Sequence, residues 1–150
     1  MKQLFTALLN LSAWLAQQPK LNGLTNSFMN MLAGLTMRSR KAKPKQTIEA
    51  IAHEWQRMFV AGKKTNRITA IENGTAYAEI HTQCPLRATG DVKACYKMMQ
   101  YDRKMLNTIG GQFVVLQSQS NSGETYCKVA MRVKGADMSD LQEAHLIKSL

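Results

Sequence analysis

The central part of the chain, residues 81–132, reads HTQCPLRATGDVKACYKMMQYDRKMLNTIGGQFVVLQSQSNSGETYCKVAMR. It contains all three cysteines of the chain, which are Cys84, Cys95 and Cys127. Asp91 is a favourable N-cap residue and the Gly110-Gly111 pair is a typical helix stop, so the pattern predicts a helix over residues 92–108. Apolar residues cover much of the circumference of this helix, which indicates that it is buried on more than one side.

Strand patterns lie on both sides of this helix. After it, residues 112–118 and 125–134 alternate apolar and polar side chains, and before it residues 67–71 and 75–82 flank an Asn73-Gly74 turn. Asn-Gly between alternating segments is the strongest short hairpin signal. Two hairpins around a central helix predict an α+β domain on a four-stranded, largely antiparallel sheet.

Four further helices complete the predicted fold. Their predicted ranges are 3–17, 24–37, 48–61 and 139–149, and the last begins at the capping box Ser139-x-x-Gln142. We divide the chain into an apolar helical hairpin with a basic linker, residues 1–45, and an α+β domain, residues 46–150. Two short apolar helices cannot hide their own surface, so the hairpin must pack on the domain, on a second subunit of a homodimer, or into a membrane interface.

The positive charge is concentrated near the N-terminus. The chain of 150 residues has 20 basic and 10 acidic residues, but residues 1–48 contain seven Lys or Arg and no Asp or Glu. We interpret this segment either as a solvated basic linker or as a surface that attracts anionic lipid or an acidic partner. The basic run at residues 38–45 has no interleaved aromatic side chains, so specific nucleic-acid binding is not expected.

The number of cysteines argues against a disulfide framework. Three is an odd count, and the apolar run at residues 4–16 is not followed by a clean secretory cleavage site. We therefore expect reduced thiols and a cytoplasmic protein, with membrane association through the basic segment as an alternative. Three interpretations of the cysteines stay open: buried core thiols, a shared ligand or substrate site, or a zinc site that the three thiolates form with His81.

Two residues of the central helix are candidate catalytic groups. Cys95 lies near its N-terminus, where the helix dipole lowers the pKa of a partly exposed thiol and favours a nucleophilic thiolate. Asp102 follows seven residues later, nearly the same way round the helix, so both side chains are expected on one pocket wall. The alternative for Asp102 is a surface salt bridge with Arg103, Lys104 or Arg87. The candidate ligand-binding residues are Cys84, Cys127, His81 and Tyr101.

Short motifs in this region resemble those of a known group of domains. They are Cys84-Pro85, a helix that opens with Cys95 and carries Asp102, and the strand-pair motif Gly123-Glu-Thr-Tyr-Cys127. Residues 84–132 thereby resemble the C-terminal halves of 4-vinyl reductase-type small-molecule-binding domains and of L-2-amino-thiazoline-4-carboxylic acid hydrolase-like proteins. The resemblance implies an α+β fold that binds small apolar or heterocyclic compounds, in some members with a metal near the cysteines.

These observations favour a cytoplasmic, dimeric small-molecule-binding protein with a cysteine-lined pocket between the central helix and the sheet. The first alternative is a hydrolase of the thiazoline-carboxylate group, with a cysteine as nucleophile or ligand and Asp102 or His81 in proton transfer. The second alternative is a peripheral membrane or adaptor module in which residues 1–45 make the functional contacts. The sequence names no ligand, and zinc is the one cofactor that it raises.

Overall fold

A computed structural model describes residues 2–146 of the chain. Its helices are α1 (Lys2–Ala16), α2 (Asn22–Ser39), α3 (Ile48–Met58), α4 (Gly62–Thr65), α5 (Val92–Met98), α6 (Gln100–Ile109) and α7 (Gln119–Ser122). Its strands are β1 (Asn66–Glu72), β2 (Thr75–Ile80), β3 (Gly111–Gln117) and β4 (Cys127–Val133). Single turns of 3-10 helix lie at Pro19–Leu21 and Ala144–Leu146.

The four strands form one antiparallel sheet in the order β1-β2-β4-β3. The fold class predicted from the sequence, α+β with N-terminal helices and two hairpins around a central helix, is therefore confirmed. The turn between β1 and β2 uses Asn73 and Gly74 at φ of 49° and 73°. Such left-handed conformations are required by the tight hairpin turn, and Asn and Gly adopt them at the lowest cost.

Helices α3 and α6 pack on one face of the sheet and form the main core. On α3, Ile48, Ile51 and Trp55 repeat at helical spacing and are buried, and the Thr47 side chain caps the helix by accepting from Ala50 N at 3.3 Å. The Trp55 ring lies 6.3 Å from that of Phe113 on β3, measured between centroids. Burial of this apolar stripe is the main force that holds α3 on the sheet.

The predicted helix over residues 92–108 is interrupted at Met99. This residue has φ of −70° and ψ of −2° and separates α5 from α6. The interruption is local, because Met99 N still donates to Cys95 O and Arg103 N still donates to Met99 O, each at 3.0 Å. It places Cys95 on α5 and Asp102 on α6, so the two side chains do not follow the geometry of a single straight helix.

The α1–α2 hairpin packs against α5 and α6 rather than standing apart from the domain. Lys97 Nζ donates to Ala16 O at 3.1 Å, Gln100 Nε2 donates to Asn30 Oδ1 at 3.0 Å, and the Tyr101 hydroxyl bonds Thr36 on α2. One side of the hairpin is thus covered by the rest of the chain. Within residues 2–146, the helices all fall short of the combined length and apolarity that crossing a membrane requires.

The predicted closing helix over residues 139–149 is wrong in its first part. Residues 139–143 are turn and coil, Ala144–Leu146 is 3-10 helix, and positions 147–149 lie outside the described residues. Ser139 does not cap a helix, because its backbone N and its hydroxyl both donate to the Asp137 carboxylate at 2.9 Å. Arg132 on β4 also binds Asp140, at 2.6 Å. These bonds draw the segment back along the sheet and leave no helical start.

Candidate functional site

A cavity of about 230 Å³ lies where the α1–α2 hairpin meets α5, α6 and one end of the sheet. Its walls are mainly apolar and include side chains of Leu9, Met29 and Met98. Five of the six residues predicted as catalytic or ligand-binding line this cavity, and they are Cys84, Cys95, Tyr101, Asp102 and Cys127. The cavity also reaches the surface, because Phe5 lines it and is 54% exposed.

His81 is the predicted site residue that the structure places elsewhere. Its Nε2 lies 2.8 Å from Glu79 Oε2, and its ring stacks on Tyr126 with 5.1 Å between the centroids. Thr82, one residue later, lies in the cavity wall, whereas His81 does not. The sequence assigned His81 to ligand contact or to proton transfer. Its side chain instead contacts Glu79 and Tyr126.

Cys95 lines the cavity and also contacts two polar side chains, those of Ser118 and His145. Its Sγ lies 3.1 Å from Ser118 Oγ and 3.1 Å from His145 Nε2. The sequence predicted a lowered pKa for a partly exposed thiol, but Cys95 is 4% exposed, and burial raises its pKa despite the hydrogen bond that it shares with Ser118. The thiol at rest is therefore neutral, and it needs a base in order to act as a nucleophile.

His145 is the residue at this site that sequence reasoning missed. Its side chain is 2% exposed, and its Nδ1 lies 3.4 Å from Glu143 Oε1. Burial lowers the pKa of His145 in spite of Glu143, and the Tyr96 ring packs against it edge-on at 5.4 Å. The predicted helix would have placed Glu143 and His145 on different faces, since they are two residues apart. The 3-10 turn instead directs the imidazole at Cys95.

Asp102 is a buried carboxyl group in the cavity wall. Its Oδ1 accepts a hydrogen bond from Trp55 Nε1 at 2.9 Å, and the residue is 6% exposed. Loss of hydration raises its pKa to about 6, although the Trp55 bond opposes the shift. The alternative of a surface salt bridge is therefore wrong, because the carboxylate is inside the protein and its partner is an indole.

Two buried polar atoms in the cavity wall lack a partner among the described residues: Asn66 Nδ2 and Gln119 Oε1. The rest of each amide is fixed, because Asn66 Oδ1 accepts from the Thr65 hydroxyl at 2.8 Å and Gln119 Nε2 donates to Thr82 O at 2.9 Å. Two residues of the cavity wall thus leave one donor group and one acceptor atom unpaired. A buried polar atom without a partner costs about 1–3 kcal/mol, so a molecule that satisfied both atoms would gain that energy.

The other two cysteines are also held in their neutral form. Burial raises the pKa of Cys84 and raises that of Cys127 to about 12, and Gln119 N donates to Cys127 Sγ at 3.4 Å. Zinc binds thiolates, and it needs several ligands that converge on one point. Within the part of the chain that the structure describes, His, Cys, Asp and Glu form no group of three or more that could hold a metal ion.

Comparison of the chain with protein-family models, with curated proteins and with solved structures found no significant match. The resemblance to vinyl-reductase-type and hydrolase-like domains therefore stays a prediction from the motifs around the cysteines. A fold class of this kind hosts many unrelated functions, so the function must be inferred from the chemistry of the cavity itself.

Proposed function

We propose that the protein binds a small, mainly apolar molecule that carries a hydrogen-bond acceptor and a hydrogen-bond donor. The observation that carries the proposal is the pair of unpartnered buried atoms, Asn66 Nδ2 and Gln119 Oε1, in an otherwise apolar wall. Ligand sites typically combine such walls with a few polar groups that fix orientation. An uncharged amide group offers the matching atoms, since its carbonyl accepts from Asn66 and its N–H donates to Gln119.

Water can pair with the polar atoms of this cavity but leaves the apolar part of its wall without favourable contacts. A buried water needs two to four polar partners, and 13 of the 21 residues that line the cavity are Leu, Met, Phe, Ile or Cys. The volume of about 230 Å³ is close to the lower end of ordinary ligand pockets, which start at about 300 Å³. A single aromatic ring with one polar substituent is therefore the size of ligand that we expect.

Benzamide and N,N-dimethylbenzamide provide a direct test of the proposed binding. Both present an apolar ring and a carbonyl oxygen, but the dimethyl compound has no N–H to donate to Gln119. We expect benzamide to bind at least about tenfold more tightly, because one unmade buried hydrogen bond costs about 1.4 kcal/mol or more. The dissociation constants would be measured by ligand-observed NMR titration.

Two variants of α1 form a matched pair for the same titration. Leu9→Trp fills the cavity, because Leu9 lies in its wall, and it should abolish benzamide binding. Leu11→Trp adds the same side chain at an exposed position of the same helix and should leave binding unchanged. Equal binding by both variants, or no preference for benzamide over its dimethyl derivative, would show that the cavity is not the site.

The outer surface of the hairpin supports a second candidate function, contact with an anionic membrane surface. Leu24, Met31 and Leu35 lie on one line of α2, at i, i+7 and i+11, and are exposed. No acidic residue occurs in residues 1–48, which carry seven Lys or Arg. An apolar stripe within a segment of one charge sign is the composition of helices that lie in a membrane interface.

Vesicle co-sedimentation tests this second candidate. We expect binding to vesicles of mixed phosphatidylserine and phosphatidylcholine, little binding to phosphatidylcholine alone, and a loss of binding as salt rises. Leu35→Glu should weaken binding at least about tenfold, because it places an acid in the apolar stripe. Val60→Glu, at an exposed site outside the hairpin, is the control. A different result would assign the stripe to a subunit interface instead. In that case the protein would not bind vesicles, light scattering would show a dimer, and Leu35→Glu would dissociate that dimer.

A further inference from the structure

The groups around Cys95 form a chain from the cavity to the acid Glu143. Cys95 lines the cavity, and its Sγ lies 3.1 Å from His145 Nε2. The opposite ring nitrogen of His145 lies 3.4 Å from Glu143 Oε1. A nucleophile, a base within hydrogen-bond reach and a third group that orients the base are the three parts of a nucleophilic catalytic triad.

We propose that Cys95 is the nucleophile of a hydrolytic reaction on a small carboxylic amide or ester bound in the cavity. His145 is the general base, and Glu143 is the positioning residue that fixes its tautomer. This inference rests on the proposed function, because it needs the acyl compound to occupy the cavity. It also replaces His81 and Asp102, the residues that the sequence assigned to proton transfer, with a histidine 50 residues away from the nucleophile.

The first half of the reaction is acylation of Cys95. The sulfur forms a bond to the carbonyl carbon of the substrate while the thiol proton passes to His145 Nε2. The tetrahedral intermediate then collapses, the bond from carbon to the amine or alcohol breaks, and His145 returns the proton to that leaving group. The products of this half are a thioester on Cys95 and the free amine or alcohol.

The second half is hydrolysis of the thioester by water. His145 Nε2 accepts a proton from the water, whose oxygen bonds to the acyl carbon, and the bond from carbon to sulfur breaks. The proton on His145 returns to Sγ, and the carboxylic acid leaves the cavity. No oxidant, reductant or metal takes part, and the net change is the addition of one water across the acyl bond.

The electrostatic surroundings of His145 fit the role of a base that starts neutral. Burial lowers the pKa of His145 and raises that of Cys95, so the resting pair is thiol and neutral imidazole. Arg103 lies 3.9 Å above the centre of the Tyr96 ring, and its charge further disfavours a second proton on His145. With Glu143 as acceptor for Nδ1–H, the lone pair of Nε2 points at the thiol.

Cys95 and His145 could serve only to pack the core, and that role predicts different experimental results from a catalytic role. A merely structural cysteine and histidine would contribute to stability, and their replacement would leave no chemical signature on a substrate. A nucleophile leaves an acyl group on one sulfur, and a base changes the rate of its formation. The test must therefore identify the acylated atom and time the step.

The experiment uses p-nitrophenyl butyrate with the full chain. We expect a burst of p-nitrophenolate and, after acid quenching, a mass increase of one butyryl group that peptide mapping places on Cys95. Cys95→Ala should lose the burst and the adduct. His145→Gln should slow acylation by about 10²–10⁴-fold while its unfolding temperature and its affinity for benzamide stay close to those of the wild type. His53→Gln, at an exposed histidine, is the matched control.

The outcomes separate this inference from the proposed function. Benzamide binding without acylation of Cys95 would overturn the catalytic role and leave the binding function in place. Loss of both would overturn both. Acylation of Cys84 or Cys127 in place of Cys95, or equal acylation rates in His145→Gln and the wild type, would also overturn the assignment of nucleophile and base.

Discussion

The free energy of unfolding of Asp102→Asn, measured relative to that of the wild type, is expected to increase by about 3 kcal/mol between pH 4 and pH 8. Asp102 is buried in the cavity wall and accepts from Trp55 Nε1. The carbonyl oxygen of an Asn side chain can accept the same bond, and the amide never carries a charge. The substitution thus removes the cost of a buried carboxylate and keeps the tertiary hydrogen bond.

The direction follows from the two pKa values. Burial raises the pKa of Asp102 from 3.8 to about 6, so the folded state binds the proton more tightly than the unfolded state does. The stabilisation that this proton provides is complete below about pH 4 and is lost as pH rises through about 6. The side-chain amide of the Asp102→Asn variant does not titrate, so the difference in stability between variant and wild type grows over that window and is flat above it.

Urea denaturation of both proteins between pH 4 and pH 8 measures this difference. Asp140→Asn is a control of opposite sign, because Arg132 lowers the pKa of Asp140. That pair stabilises the folded state above the ordinary carboxyl pKa and is lost in acid, so Asp140→Asn should lose stability at neutral pH and match the wild type at low pH. A difference between Asp102→Asn and wild type that does not change with pH would mean that the carboxylate is not buried.

Gly62→Ala is expected to destabilise the protein by more than about 3 kcal/mol, at or beyond the upper range for overpacking. A Cβ at this position would lie 1.8 Å from the backbone oxygen of Gln56, and a peptide group cannot move aside as a flexible side chain can. Gln56 Nε2 also donates to Asn66 O at 2.7 Å. The substitution should therefore displace the strand that carries the free donor of the cavity.

Chemical denaturation and benzamide titration together test this expectation. The control is Gly34→Ala in α2, where a Cβ meets nothing within 4 Å. Alanine has the better helix propensity, so the control should gain about 0.5–1 kcal/mol. A stable Gly62→Ala variant with unchanged benzamide affinity would contradict this expectation. It would show that the backbone at Gly62 and Gln56 can move apart at little cost.

The fold was predictable because its signals are local. Asn73-Gly74 specifies a turn with two left-handed residues, Thr47 caps α3, and Gly110 ends α6 at φ of 102°. Each of these choices depends on a few neighbouring residues, which a single sequence displays. The interruption at Met99 was not predictable in this way, since the surrounding residues are good helix formers and no Pro or Gly marks the turn.

The candidate site was predictable in its cysteines and not in its histidine. Cys84 lies in the loop between β2 and α5, Cys95 lies on α5 and Cys127 begins β4, so the predicted order of helix and strands already brings these segments close together. His145 approaches Cys95 because Asp137 and Arg132 hold the preceding loop along the sheet. Asp, Ser and Arg are common on any protein surface. Their spacing in the sequence therefore does not predict these contacts.

The α1–α2 hairpin covers the cavity, and this arrangement affects how readily proteases would degrade the protein in a cell. Leu9 and Thr36 belong to α1 and α2 and form part of the cavity wall, so an occupant contacts the hairpin and the sheet at the same time. By linkage, its binding free energy adds to the free energy that holds the hairpin in place. The empty protein would open this segment more often and expose it to proteases. Under the proposed binding function, the abundance of the protein would then follow the supply of its ligand.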